Sequence, residues 1–206
     1  MLTLYGSPGS RSTRVAWALE EAGAEYDFIL IDLKKGDQKN PEFLKLNPNG
    51  KLPVLVDGEL VLSESAAICT YIGERFPASG LVPPLEQSAD RAHYFQWCFF
   101  AMSELEAPLW TMSKHARLLP EEQRIAAIAP ICMREFEQVA SVLAQHMESR
   151  EYAVGMQFTA ADILLGGTLN WARALNIALP PSLKIYAKQM SARPALIRAK
   201  QRESQA

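Results

Sequence analysis

The sequence predicts an α/β domain followed by an all-helical one. Three observations carry this reading. Asp57-Gly58 joins two apolar runs, Val54-Leu55-Val56 and Leu60-Val61-Leu62, and Asp-Gly between such runs is a strong hairpin signal. Ahead of the hairpin, two strand patterns flank a helical one. Beyond about Gln87 no convincing strand pattern appears.

Leu2-Thr3-Leu4-Tyr5 reads as a short strand, and Gly6-Ser7-Pro8-Gly9-Ser10 as a loop of breakers. A helix follows over about Arg11 to Ala22, with Val15, Leu19 and Ala22 on one face and Gly23 as its stop. Tyr26 to Ile31 is a second strand; the crossover helix between the two implies parallel pairing. Lys34 to Lys39 is a charged loop and Pro41 to Leu46 a short helical turn. After the hairpin, Ser63-Glu64-Ser65 opens a helix whose apolar positions Ile68, Tyr71, Ile72 and Phe76 are spaced by three and four. The order βαβ then αββα is that of a thioredoxin-like domain.

From Pro77 to Gln87 the composition shifts to PASGLVPPLEQ, a linker. The expected division is a thioredoxin-like domain over 1–77, a linker over 78–87 and an all-helical domain over 88–206. Within the last, helical patterns run from Ser88 to about Lys114, interrupted at Pro108, and from Glu121 to about Glu148, bent or split at Pro130. Others run from Thr159 to about Asn176 and from Pro181 to about Ser191, with a final turn begun by Arg193-Pro194 and a polar, frayed tail from Lys200. Thr159 and Asp162 have capping-box spacing, with Phe158 placed to staple onto Ile163, so the Asp162 carboxylate is assigned to structure.

The 206 residues suffice for a sizeable core, and 49% apolar with 21% charged is an ordinary globular composition. A formal net charge of −2 gives no footprint for nucleic acid or a membrane surface. No apolar run approaches a membrane span, and the N-terminus enters a strand directly, so no secretory leader is expected. Cys69, Cys98 and Cys132 are scattered, suiting free buried thiols in a reducing compartment. There is no C-x-x-C, and three dispersed histidines form no metal-ligand cluster; no metal is expected.

The chemistry concentrates between Asn47 and Ile72. Pro53 cannot donate to a ladder, so it starts a strand and forces Leu52 extended, with the Leu52 main chain free to pair with a peptide-like ligand. The helix beginning near Ser65 offers bare N–H groups to a carboxylate, and Glu64 beside it offers a negative charge to an ammonium. Together these describe a site for an amino acid-like head on a peptide. An ordinary hairpin and a capped helix account for the same residues equally well.

N-P-x-G-K-L-P-V-L followed by L-x-E-S-x-A-I resembles the glutathione-binding half of the cytosolic glutathione transferase superfamily, and the likeness extends over essentially the whole chain. The resemblance implies a cis Pro53, Leu52 pairing with the cysteinyl backbone of glutathione, and Glu64 with Ser65 binding its γ-glutamyl head. Lys51 is a candidate for the glycine carboxylate, with Gln38 and Lys39 weaker ones. It implies a hydroxyl that stabilises the glutathione thiolate for attack on a hydrophobic electrophile. A free thiol of pKa about 8.5 is little ionised at neutral pH, so such help matters. Tyr5, Ser7, Ser10, Ser12 and Thr13 are on offer. Ser10, in a Pro8-Gly9-Ser10 sequence similar to that of theta- and delta-like serine enzymes, is preferred; Ser12 and Tyr5 are the alternatives, and Arg11 stays open. Bacterial beta-class members carry Cys where this chain has Arg11, so a mixed-disulfide mechanism on the protein is not expected. An apolar electrophile pocket between the domains, with Phe99, Ser103, Glu106 and Trp110 as candidate lining, follows from the same resemblance, although an aromatic stripe is more often core. So do a homodimer, a cytoplasmic setting and a role in detoxification. Dehalogenase, isomerase and peroxidase activities share the implied site. A glutathione-binding interaction module without turnover is the alternative from another class.

Overall fold

The computed structural model describes residues 1–205. It divides into two units, Met1–Pro84 with Ala192–Ala206, and Leu85–Ser191.

In the first unit, β1 (Leu2–Gly6), α1 (Ser12–Glu21), β2 (Tyr26–Leu30), α2 (Pro41–Leu46), β3 (Val54–Asp57), β4 (Leu60–Ser63) and α3 (Ser65–Arg75) follow in order. The sheet order is β2-β1-β3-β4. β1 pairs parallel with β2, as the crossover through α1 requires, and antiparallel with β3. β3 and β4 form the expected hairpin, but its two-residue turn is Gly58-Glu59 rather than Asp57-Gly58: Asp57 ends β3 and pairs with Leu60, and Gly58 supplies the left-handed φ of 61°.

Side chains alternate across this sheet. Leu4 and Leu55 are partners across β1 and β3 and are fully buried, as are Val15 and Leu19 of α1 and Ile68 and Ile72 of α3. Tyr5 and Val54 form the next pair. They belong to a separate cluster with Ile31, Phe43, Leu46 and Leu52, where the Tyr5 ring meets Phe43 edge-on.

The segment after α3 is less free than its composition suggests. Leu81, Val82 and Pro83 are buried, and Gly73 lies so close that a Cβ there would meet Val82 at 2.5 Å. The chain leaves the first unit only after Pro84.

Leu85–Ser191 is all-helical: α4 (Ser88–Phe99), α5 (Glu106–Ser113), α6 (Ile128–His146), α7 (Ala160–Ala174) and α8 (Pro181–Ser191). Pro108 marks an interruption of the α-helix without breaking the helical course. It sits in the first turn of α5, and the turns before it, Phe100–Leu105, are π-helical. A wider turn accommodates the hydrogen bond that proline cannot make. Pro130 likewise lies in the first turn of α6, where its missing N–H costs nothing, so that helix begins at Ile128 rather than Glu121.

Asp162 organises this unit. The carboxylate is fully buried and accepts from the Thr159 and Ala153 N–H groups at 2.8 Å each, the Tyr186 hydroxyl at 2.7 Å and the Thr159 hydroxyl at 3.1 Å. The capping box at the start of α7 is complete. Burial raises the Asp162 pKa, opposed by those hydrogen bonds.

The C-terminal segment departs from expectation. It is a helix, α9 (Pro194–Gln205), not a turn and a frayed tail, and it belongs with the first unit. The physical reason is a row of arginines. Arg193 grips the Glu21 carboxylate through Nε at 2.5 Å and Nη2 at 2.9 Å. Arg198 binds the Glu20 carboxylate at 2.9 Å and the Glu20 carbonyl at 3.0 Å. Arg202 donates to the Tyr26 carbonyl at 2.8 Å, with its guanidinium 4.3 Å from the centre of the Tyr26 ring.

Candidate active site

The sheet register assembles the site. Tyr5 pairs with Val54, and Val54 with Ser63. One row of the sheet therefore holds the end of β1, the start of β3 and the end of β4. The loop carrying Ser10, the Leu52-Pro53 step and the Glu64-Ser65 step all emerge from that end.

The loop into α1 is held by hydroxyls. Ser12 is fully buried; its Oγ donates to the Ser7 carbonyl at 3.0 Å and accepts the Ser7 N–H at 2.9 Å. Its hydroxyl oxygen lies 2.5 Å from that of half-buried Ser10. A serine hydroxyl has one proton to donate, and that of Ser12 is committed to Ser7. Ser10 is then the donor in the shared contact, while its Oγ accepts the Ser12 N–H at 3.2 Å. Gly6 makes this packing possible, since a Cβ there would stand 2.8 Å from that of Ser12. Of the alternatives, Ser12 thus has its hydrogen engaged inside the loop, and Tyr5 is packed in the cluster around Phe43. Arg11 is half-buried and precedes α1.

The Leu52–Pro53 peptide is cis, as the resemblance implied. β3 begins at Val54, so the Leu52 main chain lies outside the ladder. Asn47 builds this approach, a role the sequence reading did not assign. Its Nδ2 donates to the Lys51 carbonyl at 2.8 Å, its Oδ1 accepts the Asn49 N–H at 3.1 Å, and its carbonyl accepts the Gly50 N–H at 2.8 Å. The signal was present: an Asn followed two residues later by a bondable N–H is an Asx turn. Gly50, at φ 59°, lets this loop approach the loop before α2, where a Cβ would meet the Gln38 carbonyl at 2.8 Å and the Lys39 ammonium at 2.9 Å. Lys39 and Gln38 are thereby brought beside the Lys51 loop, giving the site a cationic corner. Lys39 and Lys51 are exposed; Gln38 Oε1 is buried with no hydrogen-bond partner.

At the third corner Glu64 holds a φ of 69°, unusual for a non-glycine residue and of a kind that costs about 1–3 kcal/mol. No side chain caps α3. Its first N–H groups are available to an anion. Ser65 is 1% exposed, and its Oγ is buried with no hydrogen-bond partner. A buried hydroxyl left unpaired at an uncapped helix terminus is a feature that a carboxylate ligand would satisfy.

The remaining candidates lie in the helical unit and differ in character. Phe99 is 69% exposed, and exposed Ser103 turns its hydroxyl onto the Phe99 carbonyl at 2.8 Å. Glu106 is buried, and Trp110 is half-buried with the Lys114 ammonium 5.9 Å from its ring centre. Ser103 and Phe99 are thus adjacent surface groups, whereas Glu106 is turned inward.

None of the chain's three cysteines forms a disulfide, and all three are buried. Burial pushes Cys98 up to about 12 and raises Cys132 as well. Among the described residues no group of three or more His, Cys, Asp or Glu could hold a metal ion, and no helix is long and apolar enough to cross a membrane.

A thioredoxin-like α/β unit followed by an all-helical segment, with a cis proline and an uncapped helix terminus at one sheet end, places the chain among two-unit proteins of thioredoxin-like fold. Residues 1–74 match the family described as "Glutathione S-transferase, N-terminal domain", and residues 100–194 match "Glutathione S-transferase, C-terminal domain". The chain is 32% identical over 204 residues to the disulfide-bond oxidoreductase YfcG of Escherichia coli, covering 95% of this chain and 92% of that one. It is 33% identical to glutathione S-transferase 3 of Zea mays, covering 94% and 90%. Among solved structures, a sphingomonad glutathione S-transferase complexed with glutathione superposes with a TM-score of 0.84 at 29% identity, covering 99% of this chain and 100% of that one. The chain belongs to the cytosolic glutathione S-transferase superfamily and is a glutathione transferase enzyme.

Proposed function

We propose that the enzyme binds glutathione along the sheet end described above and holds its sulfur as a thiolate for attack on a hydrophobic electrophile. The observation that carries this is the buried, unpartnered Ser65 hydroxyl at the uncapped start of α3, in the same sheet row as Leu52-Pro53 and the Ser10 loop. In this reading Ser65 and the first N–H groups of α3 take the γ-glutamyl carboxylate, and exposed Glu64 takes its ammonium. The Leu52 main chain pairs with the cysteinyl backbone. Lys51, with Gln38 and Lys39 beside it, receives the glycine carboxylate. Ser10 then turns its hydroxyl from Ser12 to the sulfur. That rotation leaves no buried group unpaired, because Ser12 keeps both of its bonds to Ser7. The N-terminus of α1 adds its partial positive charge to the same sulfur.

The electrophile is read as apolar, with Phe99, Ser103 and Trp110 as surface candidates and Glu106 retained as a buried neighbour. Exposed Leu60 and Val61 on edge strand β4 are apolar surface suited to a second copy in a homodimer. A cytoplasmic setting accords with three cysteines that form no disulfide.

A second reading, glutathione-dependent reduction of disulfides, is favoured by the name of the Escherichia coli relative. With the chain's own thiols buried, the glutathione sulfur would itself be the nucleophile there. The test is retention on immobilised glutathione, followed by turnover of a generic aryl halide and of a small alkyl disulfide. Retention with aryl halide conjugation supports the first reading; disulfide reduction alone transfers support to the second. Failure to be retained overturns both.

A further inference from the structure

We propose that the charge of Glu203, in the last turns of α9 and linked through Thr13 to the Ser10 backbone, tunes the ionisation of the thiol site. The inference rests on the glutathione reading above and adds a residue that neither the family resemblance nor the site residues include.

Glu203 is 3% exposed although it lies on the most polar helix of the chain. One carboxylate oxygen accepts the Thr13 hydroxyl at 3.0 Å; the other is buried with no hydrogen-bond partner. Thr13 is in the first turn of α1, and its N–H donates to the Ser10 carbonyl at 3.2 Å. A single residue therefore joins the carboxylate to the backbone of the residue read as the thiolate's partner.

The charge pattern around Glu203 is unusual. The arginines of α9 are engaged elsewhere, Arg198 on Glu20 and Arg202 on Tyr26, and Arg193 just before the helix is engaged on Glu21. The other ionisable groups of the elements packed on α9 are Glu20, Glu21 and buried Arg14 on α1 and Tyr26 and Asp27 on β2; Glu20 and Glu21 lie at the far end of α1 from Thr13, held by Arg198 and Arg193. Exposed Lys200, on Glu203's own helix, is the charge that favours its ionised form. Burial outweighs Lys200 and the Thr13 hydrogen bond and holds the carboxyl at about 7. Glu203 thus changes charge near neutrality, beside the helix terminus that stabilises the thiolate.

Two anions at one helix terminus compete for the same field, and each makes the other harder to form. An ionised Glu203 therefore opposes thiolate formation, and a protonated one releases it. Linkage makes the coupling reciprocal, so the thiolate of bound glutathione raises the titration midpoint of Glu203.

The test compares wild type with Glu203→Gln, which keeps the acceptor for Thr13 and removes the charge. The titration of bound glutathione is followed by thiolate ultraviolet absorbance. The expected midpoint in E203Q is lower by about half a pH unit or more, with glutathione affinity changed by less than about threefold. In parallel, wild-type protein labelled with carboxyl-13C glutamate is titrated by NMR with glutathione and with S-methylglutathione, which has no ionisable thiol. Only glutathione should move the Glu203 midpoint upward, and this measurement stands even where E203Q does not fold. Equal midpoints with the two peptides, or an unchanged thiol titration in a folded E203Q, overturn the proposal while leaving glutathione binding intact. Wild-type protein that binds no glutathione overturns the binding reading and this inference together.

Discussion

The hydroxyls of Ser10 and Ser12 lie 2.5 Å apart, and only that of Ser10 has a proton to redirect. Ser12 gives its own to the Ser7 carbonyl. On the proposed reading the pair separates a functional role from a structural one within three residues. Ser10→Ala should lower kcat about 100-fold or more while glutathione affinity stays within about threefold, measured by steady-state kinetics and calorimetry. Ser12→Ala should behave otherwise. Loss of two buried hydrogen bonds should lower unfolding free energy by about 1–3 kcal/mol in urea titration. Unchanged turnover in the Ser10 variant would exclude its assignment.

Ser65 gives a contrast of opposite sign. Its hydroxyl is buried without a partner, so Ser65→Ala removes a desolvated group and no internal bond. The melting temperature should be unchanged or slightly raised. Glutathione affinity should fall about tenfold, equivalent to about 1.4 kcal/mol. A variant destabilised without loss of affinity would show that the hydroxyl serves the fold instead.

Asp162 collects two N–H groups and two hydroxyls on one buried carboxylate. In Asp162→Asn, an amide NH2 faces donors where an oxygen stood. The expected loss is about 3 kcal/mol or more in equilibrium unfolding, because buried donors are left unpaired at the start of α7.

Glu203 predicts a pH dependence of stability. Its carboxyl titrates at about 7 in the folded chain, against an ordinary 4.5. The folded state thus holds the proton more tightly, and its relative stability is fully present below about 4.5 and lost as pH rises through about 7. The contribution is on the order of 2–3 kcal/mol. Glu203→Gln should flatten the wild-type decline between those limits in a series of urea titrations. A decline equally steep in both proteins would locate the titrating group elsewhere.

Legibility in the sequence followed locality. The hairpin, closed by Asp57 and Leu60, and the Thr159–Asp162 box each join residues three apart, so their chemistry is written in short strings. The Leu52-Pro53 and Glu64-Ser65 steps were found for the same reason, and the register Tyr5–Val54–Ser63 brings them to one sheet end. The helical fate of the C-terminal segment was not legible. Arg193 and Glu21 are 172 positions apart, and Arg198 and Glu20 are 178 apart; a polar stretch looks frayed until its distant carboxylates are in place. The prolines were legible in part. Pro108 does mark an interruption, a π-helical stretch between α4 and α5 rather than a break in the chain's helical course, whereas Pro130 lies in the first turn of α6 and neither bends nor splits it. Nor could spacing alone rank Ser10 above Ser12, since the distinction depends on where one proton goes.

Because α9 is part of the first unit, the domain whose synthesis begins first is completed last. Some hundred residues of the helical unit must be made before Arg193, Arg198 and Arg202 can reach Glu21, Glu20 and Tyr26. Until then the face of α1 that carries Thr13, Glu20 and Glu21 lacks the helix that covers it in the finished chain.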